Sequence, residues 1–246
     1  MRAMNRQTKS YHKFAQFYDL VMGDRGADVR FISSLIERYA PNAKLLVDIA
    51  CGTGVITKGL RRKYKTYGID ASPAMLKRAR RALPGEKFLC CDMRSFSLPK
   101  KVDVALCAFD SINHLGRFSD WIATFRNVRK NLSDDGVFIF DINTIGRLHN
   151  LANGRPWINF FTSKDFLMMN VAPKSPSRVE WDVKVFLSKR DNRYTVVREK
   201  IQETSFPVSD IREALLRYFS KVEVLDCEGK ITRKERPSRL YFVAHA

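Results

Sequence analysis

The 246-residue chain is short of acid: Asp and Glu number 26 against 44 Lys and Arg, leaving a formal charge of +18. That surplus admits a polyanionic partner, whether nucleic acid, anionic lipid or a phosphorylated small molecule. Long apolar runs are also missing. The densest, Gly136 to Phe140, is stopped by Asp141, far short of the roughly 20 residues a membrane-spanning helix needs. The basic N-terminus (Arg2, Arg6, Lys9, Lys13) is not followed by the apolar core of a signal peptide. Cysteine is sparse, with five in all; Cys90 and Cys91 are adjacent, and Cys51, Cys107 and Cys227 stand alone. None forms a C-x-x-C pair or a Cys/His cluster of zinc spacing, so no metal site is expected, and reduced thiols in a cytoplasmic protein are. Repeats and low-complexity segments are absent too. What remains is 45% hydrophobic and 28% charged, the balance of a globular protein with a sizeable core.

The first half alternates between two periodicities. Strand-like runs occupy Lys44–Ile49, Lys65–Ile69, Lys87–Cys91, Val102–Ala108 and Gly136–Ile142, with helix-like runs at Thr53–Lys63, Pro73–Leu83 and Phe118–Leu132. Ser72 before Pro73 reads as an N-cap with proline at the first helical position. Asp134-Asp135-Gly136 reads as the end of a helix and a turn into the next strand. A helical lead, Tyr11–Met22 and Asp28–Tyr39, precedes them. This alternation predicts an α/β fold, a parallel sheet with helices on both faces. Beyond Asn143 the rhythm changes. Trp157–Phe161, Phe166–Val171, Val179–Leu187 and Tyr194–Phe206 read as strands of an antiparallel sheet. Helical spacing returns over Ser209–Phe219, and Lys221–Asp226 and Leu240–Ala244 close the chain as strands. The expected division is a Rossmann-like core over 1–144 and 208–246, interrupted by a β subdomain over 145–207.

The strongest local signal is Leu45-Leu46-Val47-Asp48-Ile49-Ala50-Cys51-Gly52-Thr53-Gly54, which leaves a strand and opens a helix. Gly52 and Gly54 allow a sharp turn and close approach of a ligand to the backbone, and the helix start offers free N–H groups. The third glycine of a dinucleotide fingerprint is replaced by Val55, and no Gly-Lys-Ser/Thr ending marks a phosphate-binding P-loop. Asp70, at the end of Tyr67-Gly68-Ile69-Asp70, sits where a nucleoside-binding α/β fold places a carboxylate for ribose hydroxyls.

These segments, with Ala71-Ser72-Pro73-Ala74-Met75-Leu76, Cys91-Asp92-Met93-Arg94-Ser95-Phe96, Asp110 to Leu115 and Phe138 to Asn143, resemble class I S-adenosylmethionine (SAM)-dependent methyltransferases. The resemblance runs through most of the chain. It is nearest to small bacterial and archaeal methyltransferases with a β insert after the fifth strand, among them N,N-dimethyltransferases of nucleotide-linked aminosugars. It implies a seven-stranded, mostly parallel sheet and SAM as the methyl donor. It assigns Asp48 and the Ala50, Cys51, Gly52, Gly54 loop to the methionine moiety and Asp70 to the ribose. Asp92 and Met93 fall to the adenine, Ala71 and Met75 to the adenosine, and Ala108 to the cofactor wall. Tyr11 and Tyr18 match an N-terminal lid over the sulfonium, with Tyr11 also at the reacting centre. Two positions depart from the pattern: Ala50 stands where glycine is usual, and Val29 where the nearest relatives carry an aromatic, so a different lid is expected.

Methyl transfer is an in-line displacement at a sulfonium. An unprotonated amine needs only placement and desolvation, whereas a hydroxyl or carbon nucleophile needs a base. Residues 109–115 should line the site, with His114 as base or acceptor-orienting group and the β subdomain over 145–207 covering the acceptor. The leading expectation is methyl transfer to a small molecule, at nitrogen and with an anionic group, by a monomer or homodimer with no membrane partner. The alternatives are an RNA methyltransferase, in keeping with the charge, and a non-catalytic SAM-binding regulator. Basic residues cluster at 58–65, 77–81 and 230–239. The first two are expected on solvated helix backs, and no module of interleaved stacking aromatics is visible.

Overall fold

The computed structural model describes residues 14–232 and 238–246. Its first sheet is built from β1 (Leu45–Ile49), β2 (Lys65–Asp70), β3 (Lys87–Cys90), β4 (Val102–Cys107), β5 (Leu132–Asn143), β10 (Lys221–Leu225) and β11 (Arg239–His245). The spatial order is β10-β11-β5-β4-β1-β2-β3. All pairings are parallel except those of β11, which runs antiparallel to both neighbours. Leu46, Val47 and Ile49 of β1 are fully buried because helices cover both faces. The chain order reverses between β1 and β4, which opens a crevice at their carboxyl ends.

The helices form where the apolar spacing requires. A short 3-10 turn (Phe14–Phe17) leads into α1 (Tyr18–Met22) and α2 (Gly26–Tyr39). α3 (Val55–Leu60) follows the glycine loop, and α4 (Pro73–Ala82) follows β2. The Ser72 side chain accepts from the Met75 N–H, the cap expected beside Pro73. α5 (Phe118–Asn131) buries Trp121, Phe125 and Val128 against β5 and α7 (Val208–Leu216). One boundary differs from expectation. Asp134-Asp135-Gly136 makes no separate turn, because β5 starts at Leu132 and the excess is taken up in a bulge. β5 advances from Leu132 to Val137 while β4 advances only from Val102 to Val104.

After Asn143 comes α6 (Ile145–Ala152), a helix the sequence reading passes over, capped by Thr144 on the Arg147 N–H. The second sheet then forms from β6 (Trp157–Phe160), β7 (Phe166–Ser175), β8 (Arg178–Ser188) and β9 (Tyr194–Thr204), all antiparallel. One face packs Leu167, Val183, Val185 and Ile201 on Phe14 and Val21 of the N-terminal segment. The other face is two-natured. Towards the core it carries Glu180, Lys200 and Gln202; towards its tip Phe160, Phe166 and Phe186 form a cross-strand row flanked by Tyr194. Phe166 and Phe186 stack at 4.6 Å. No single run showed this aromatic row, because separate strands contribute to it. Among the described residues no helix is long and apolar enough to cross a membrane.

Candidate active site

At the crevice between β1 and β4 the chain leaves β1 through a strained loop. Ala50 has φ +56° and Gly52 φ +55°, and a Cβ at Gly52 would meet nothing within 4 Å. Gly52 therefore faces open space, so a ligand can lie directly on its backbone. Gly54 (φ +84°) differs, because a Cβ there would come within 3.1 Å of Leu83; its bareness serves packing of the α3 start. Asp19 of α1 accepts a hydrogen bond from the Thr53 hydroxyl at 2.5 Å and ties the N-terminal segment to the loop.

A cavity of about 390 Å³ opens in front of this loop, joined by a smaller one of about 60 Å³. Tyr18, Ala50, Gly52, Phe109 and Ser111 border both and mark their junction. The small cavity reaches Asp48, Cys51 and Ala108. Asp48 is buried, and its Oδ2 accepts from the Thr57 N–H at 3.1 Å and from the Thr57 hydroxyl at 2.7 Å. Burial outweighs these bonds and pushes its pKa up to about 7. The large cavity is bordered by Asp70, Ala71, Met75, Asp92 and Met93. Asp70 uses one oxygen for the Gly52 N–H at 2.8 Å and the other for the Ser72 N–H at 2.7 Å. It thus shapes the loop while both oxygens keep acceptor capacity towards the cavity. Burial raises its pKa as well.

Asp92 is held differently. Arg94 clasps it through its backbone N–H and Nε to Oδ1, both 2.9 Å, and through Nη2 to Oδ2 at 2.5 Å. Burial works against ionisation here, but Arg94 outweighs it and keeps Asp92 below the usual carboxylate range. Arg94 also pairs with Asp120 at 2.9 Å and itself borders the cavity. Nothing in the motif spacing marked that arginine, and only its clasp reveals it.

Beyond β4, Phe109, Ser111, His114 and Leu115 border the large cavity, while Ile112 and Asn113 turn into the interior. Arg25 lies over the Phe109 ring, 4.7 Å from its centroid. His114 Nδ1 is 3.2 Å from the Gln202 carbonyl of β9. Only a protonated nitrogen bonds a carbonyl, so in the neutral ring Nε2 is the acceptor. Burial, with Asp110 nearby, pushes the Tyr18 hydroxyl up to about 12, so it stays a neutral phenol. The far wall belongs to the second sheet: Glu180, Lys200, Gln202 and Thr204. Lys200 donates to Glu180 at 2.7 Å. The insert was expected to cover the acceptor, but sequence reading assigned none of these four residues to the site, because they are scattered over two strands.

Of the residues expected at the site, Tyr18, Asp48, Ala50, Cys51, Gly52, Asp70, Ala71, Met75, Asp92, Met93, Ala108 and His114 meet around the joined cavities. Gly54 stands behind the loop, and Tyr11 lies outside the described residues. Val29, expected at a lid, packs instead into α3, where a Cβ on Gly59 would lie 2.3 Å from it. The exposed cluster 58–65 points to solvent. In the cluster 77–81, Arg78 is half-buried and pairs with Asp19 at 3.7 Å.

Residues 46–136 match the family described as a methyltransferase domain, and the strand order with its antiparallel β11 gives a Rossmann-like, mostly parallel sheet. Relatives narrow the likeness. A dTDP-3-amino-3,6-dideoxy-alpha-D-glucopyranose N,N-dimethyltransferase from Streptomyces fradiae is 33% identical over 134 residues, 52% of each chain. The chain thus spans about half the length of that curated relative. An S-adenosylmethionine-dependent methyltransferase from Clostridium acetobutylicum ATCC 824 superposes with a TM-score of 0.81 at 24% identity, covering 96% of this chain and 98% of that one. A sugar N-methyltransferase from Streptoalloteichus sp. ATCC 53650 gives 0.80 at 21%, covering 94% and 92%. At these identities the two structures speak for the fold.

Proposed function

We propose that the chain is a SAM-dependent methyltransferase that methylates a small molecule at nitrogen. One observation carries the reading: buried Asp48 and half-buried Asp70, both raised in pKa by desolvation, face one joined crevice beside a bare glycine backbone. A carboxyl group in low dielectric whose pKa is about 7, Asp48, gains from a cationic ligand beside it, and SAM carries a sulfonium and an ammonium. The small cavity beside Asp48 suits the amino acid end, Asp70 the ribose, and the Asp92 and Met93 end the adenine. The shared border at Tyr18 and Phe109 then falls to the sulfonium, where aromatic faces and a neutral phenol favour positive charge. When bound, SAM supplies an electrophilic methyl carbon whose bond to sulfur breaks as the acceptor's lone pair attacks.

The chain's own contribution is placement and proton handling. His114, oriented by the Gln202 carbonyl, offers Nε2 to the proton an ammonium acceptor must lose. Residues 145–207 supply the acceptor wall, and 1–144 with 208–246 the cofactor wall. Lys200 on the acceptor wall supports an acceptor with an anionic group. Five unpaired thiols support a reducing, cytoplasmic setting.

Titration calorimetry with SAM tests the proposal. The wild type should bind at micromolar concentration, and Asp70→Ala should weaken binding by about a hundredfold, since it removes a doubly engaged carboxylate worth about 3 kcal/mol. Absence of heat at hundreds of micromolar, or equal affinity in Asp70→Ala, overturns it.

A further inference from the structure

The segment bordering both cavities is held in a conformation that L-residues avoid. Phe109 (φ +59°) and Asp110 (φ +49°) are consecutive left-handed residues, neither a glycine. Asp110 then opens the 3-10 turn Ser111–His114, so the same two residues aim Phe109, Ser111 and His114 at the cavity. What fixes them comes from two neighbouring strands. Asp141 of β5 accepts from the Asp110 N–H at 2.9 Å. Arg239, the first residue of β11, pairs with Asp110 through Nη2 and with Asp141 through Nη1 at 3.0 Å. Asp141 is 2% exposed and Arg239 23%. Glu203 of β9 is buried beside them, bonded by the Asn143 side-chain amide at 3.0 Å. Three carboxyl groups therefore crowd one arginine, and without it Asp110 and Asp141 would repel each other.

We propose that Arg239 is a positioning residue for the cavity: by bridging Asp110 and Asp141 it holds the strained Phe109–Asp110 turn, and with it Phe109, Ser111 and His114, in the binding geometry. The inference rests on the SAM reading of that cavity. It also separates Arg239 from the other basic residues of the 230–239 cluster. Lys230 is exposed and pairs with Glu228, and 233–237 lie outside the described residues. Arg239 is turned inward, to the loop that forms the site.

The test measures SAM affinity and melting temperature for the wild type, Arg239→Lys, Arg239→Gln, Asp110→Asn and the double variant Arg239→Gln/Asp110→Asn. Arg239→Gln should bind SAM at least about tenfold more weakly, and Arg239→Lys, which keeps the charge but not the two-pronged guanidinium, should recover only part of the loss. If Arg239 acts through Asp110, the double variant should bind no more weakly than Arg239→Gln alone. SAM affinity within about twofold of wild type in folded Arg239→Gln, or losses that multiply in the double variant, overturns the proposal; so does a lowered melting temperature with unchanged affinity. If Arg239→Gln does not fold, Asp110→Asn reads the same link, and unchanged affinity there overturns it equally. A wild type that binds no SAM refutes the cofactor reading itself; a wild type that binds while the variants match it refutes only the role of Arg239.

Discussion

The two walls of the cavity are built on opposite plans. The core wall is made of strand ends and the loops directly after them, with Asp48, Asp70 and Asp92 set by backbone N–H groups and short-range partners. The insert wall is a sheet face, where Glu180 and Lys200 project from mid-strand and are set by each other. A strand end in a parallel sheet is fixed by neighbours on both sides and covered by helices. A face position on an antiparallel sheet changes its chemistry with one substitution and leaves the ladder intact. The core wall thus suits an invariant ligand and the insert wall a variable one.

The sharpest way to break that contrast is through pH. Asp48 has a folded pKa of about 7, raised above its ordinary value by burial. The ligand-free folded state therefore binds a proton the unfolded chain has released, and this group's contribution to stability falls as pH rises from about 4 to 7. The cationic end of SAM favours the carboxylate, so SAM binding must release that proton below pH 7. Affinity is expected to be about tenfold weaker at pH 6 than at pH 8. Asp48→Asn should bind more weakly and lose the slope. Calorimetry in buffers of different ionisation enthalpy counts the proton, and a flat profile in the wild type removes Asp48 from the cofactor site.

A smaller effect is expected on the opposite wall. Lys200→Met removes an ammonium from the cavity border without touching the loops after β1, β2 or β4. The KM for an anionic acceptor should rise about fivefold, the worth of one partly screened charge-assisted bond. The SAM dissociation constant should stay within about twofold, the scatter expected of independent sites. Steady-state kinetics with both substrates varied separates the two. A parallel loss of SAM affinity would show that the walls are not independent.

The same contrast explains what sequence reading reached. Contiguity made the core wall legible: Asp48, Gly52, Asp70 and Asp92 each sit where a strand pattern stops, and periodicity locates strand ends well. The insert wall required knowing that Glu180 on β8 faces Gln202 on β9, a register that nothing local specifies. Arg239 closes the basic run 230–239, to which the sequence assigns no role, and only the pairing of β11 with β5 turns it to Asp141. α6 went unread because Ile145 to Ala152 is barely two turns long, with Leu148 its one fully buried residue, too short for a 3.6-residue period to declare itself.

Ala50 gives the finest test. It holds φ +56° in the loop that both cavities share, a conformation that costs an L-residue about 1–2 kcal/mol. Glycine would relieve that strain while adding roughly 0.5–1 kcal/mol of unfolded-state entropy. Ala50→Gly should therefore stabilise the chain by about 0.5–1 kcal/mol and raise the melting temperature by about 1–3 °C, as expected for about 250 residues. SAM affinity should hardly change, because Asp70 fixes Gly52 through its backbone N–H whichever residue stands at 50. A lowered melting temperature would mean that the Ala50 methyl contributes packing worth more than the strain. Weaker SAM binding at unchanged stability would mean that the loop's stiffness, rather than its shape, is what the cofactor wall contributes.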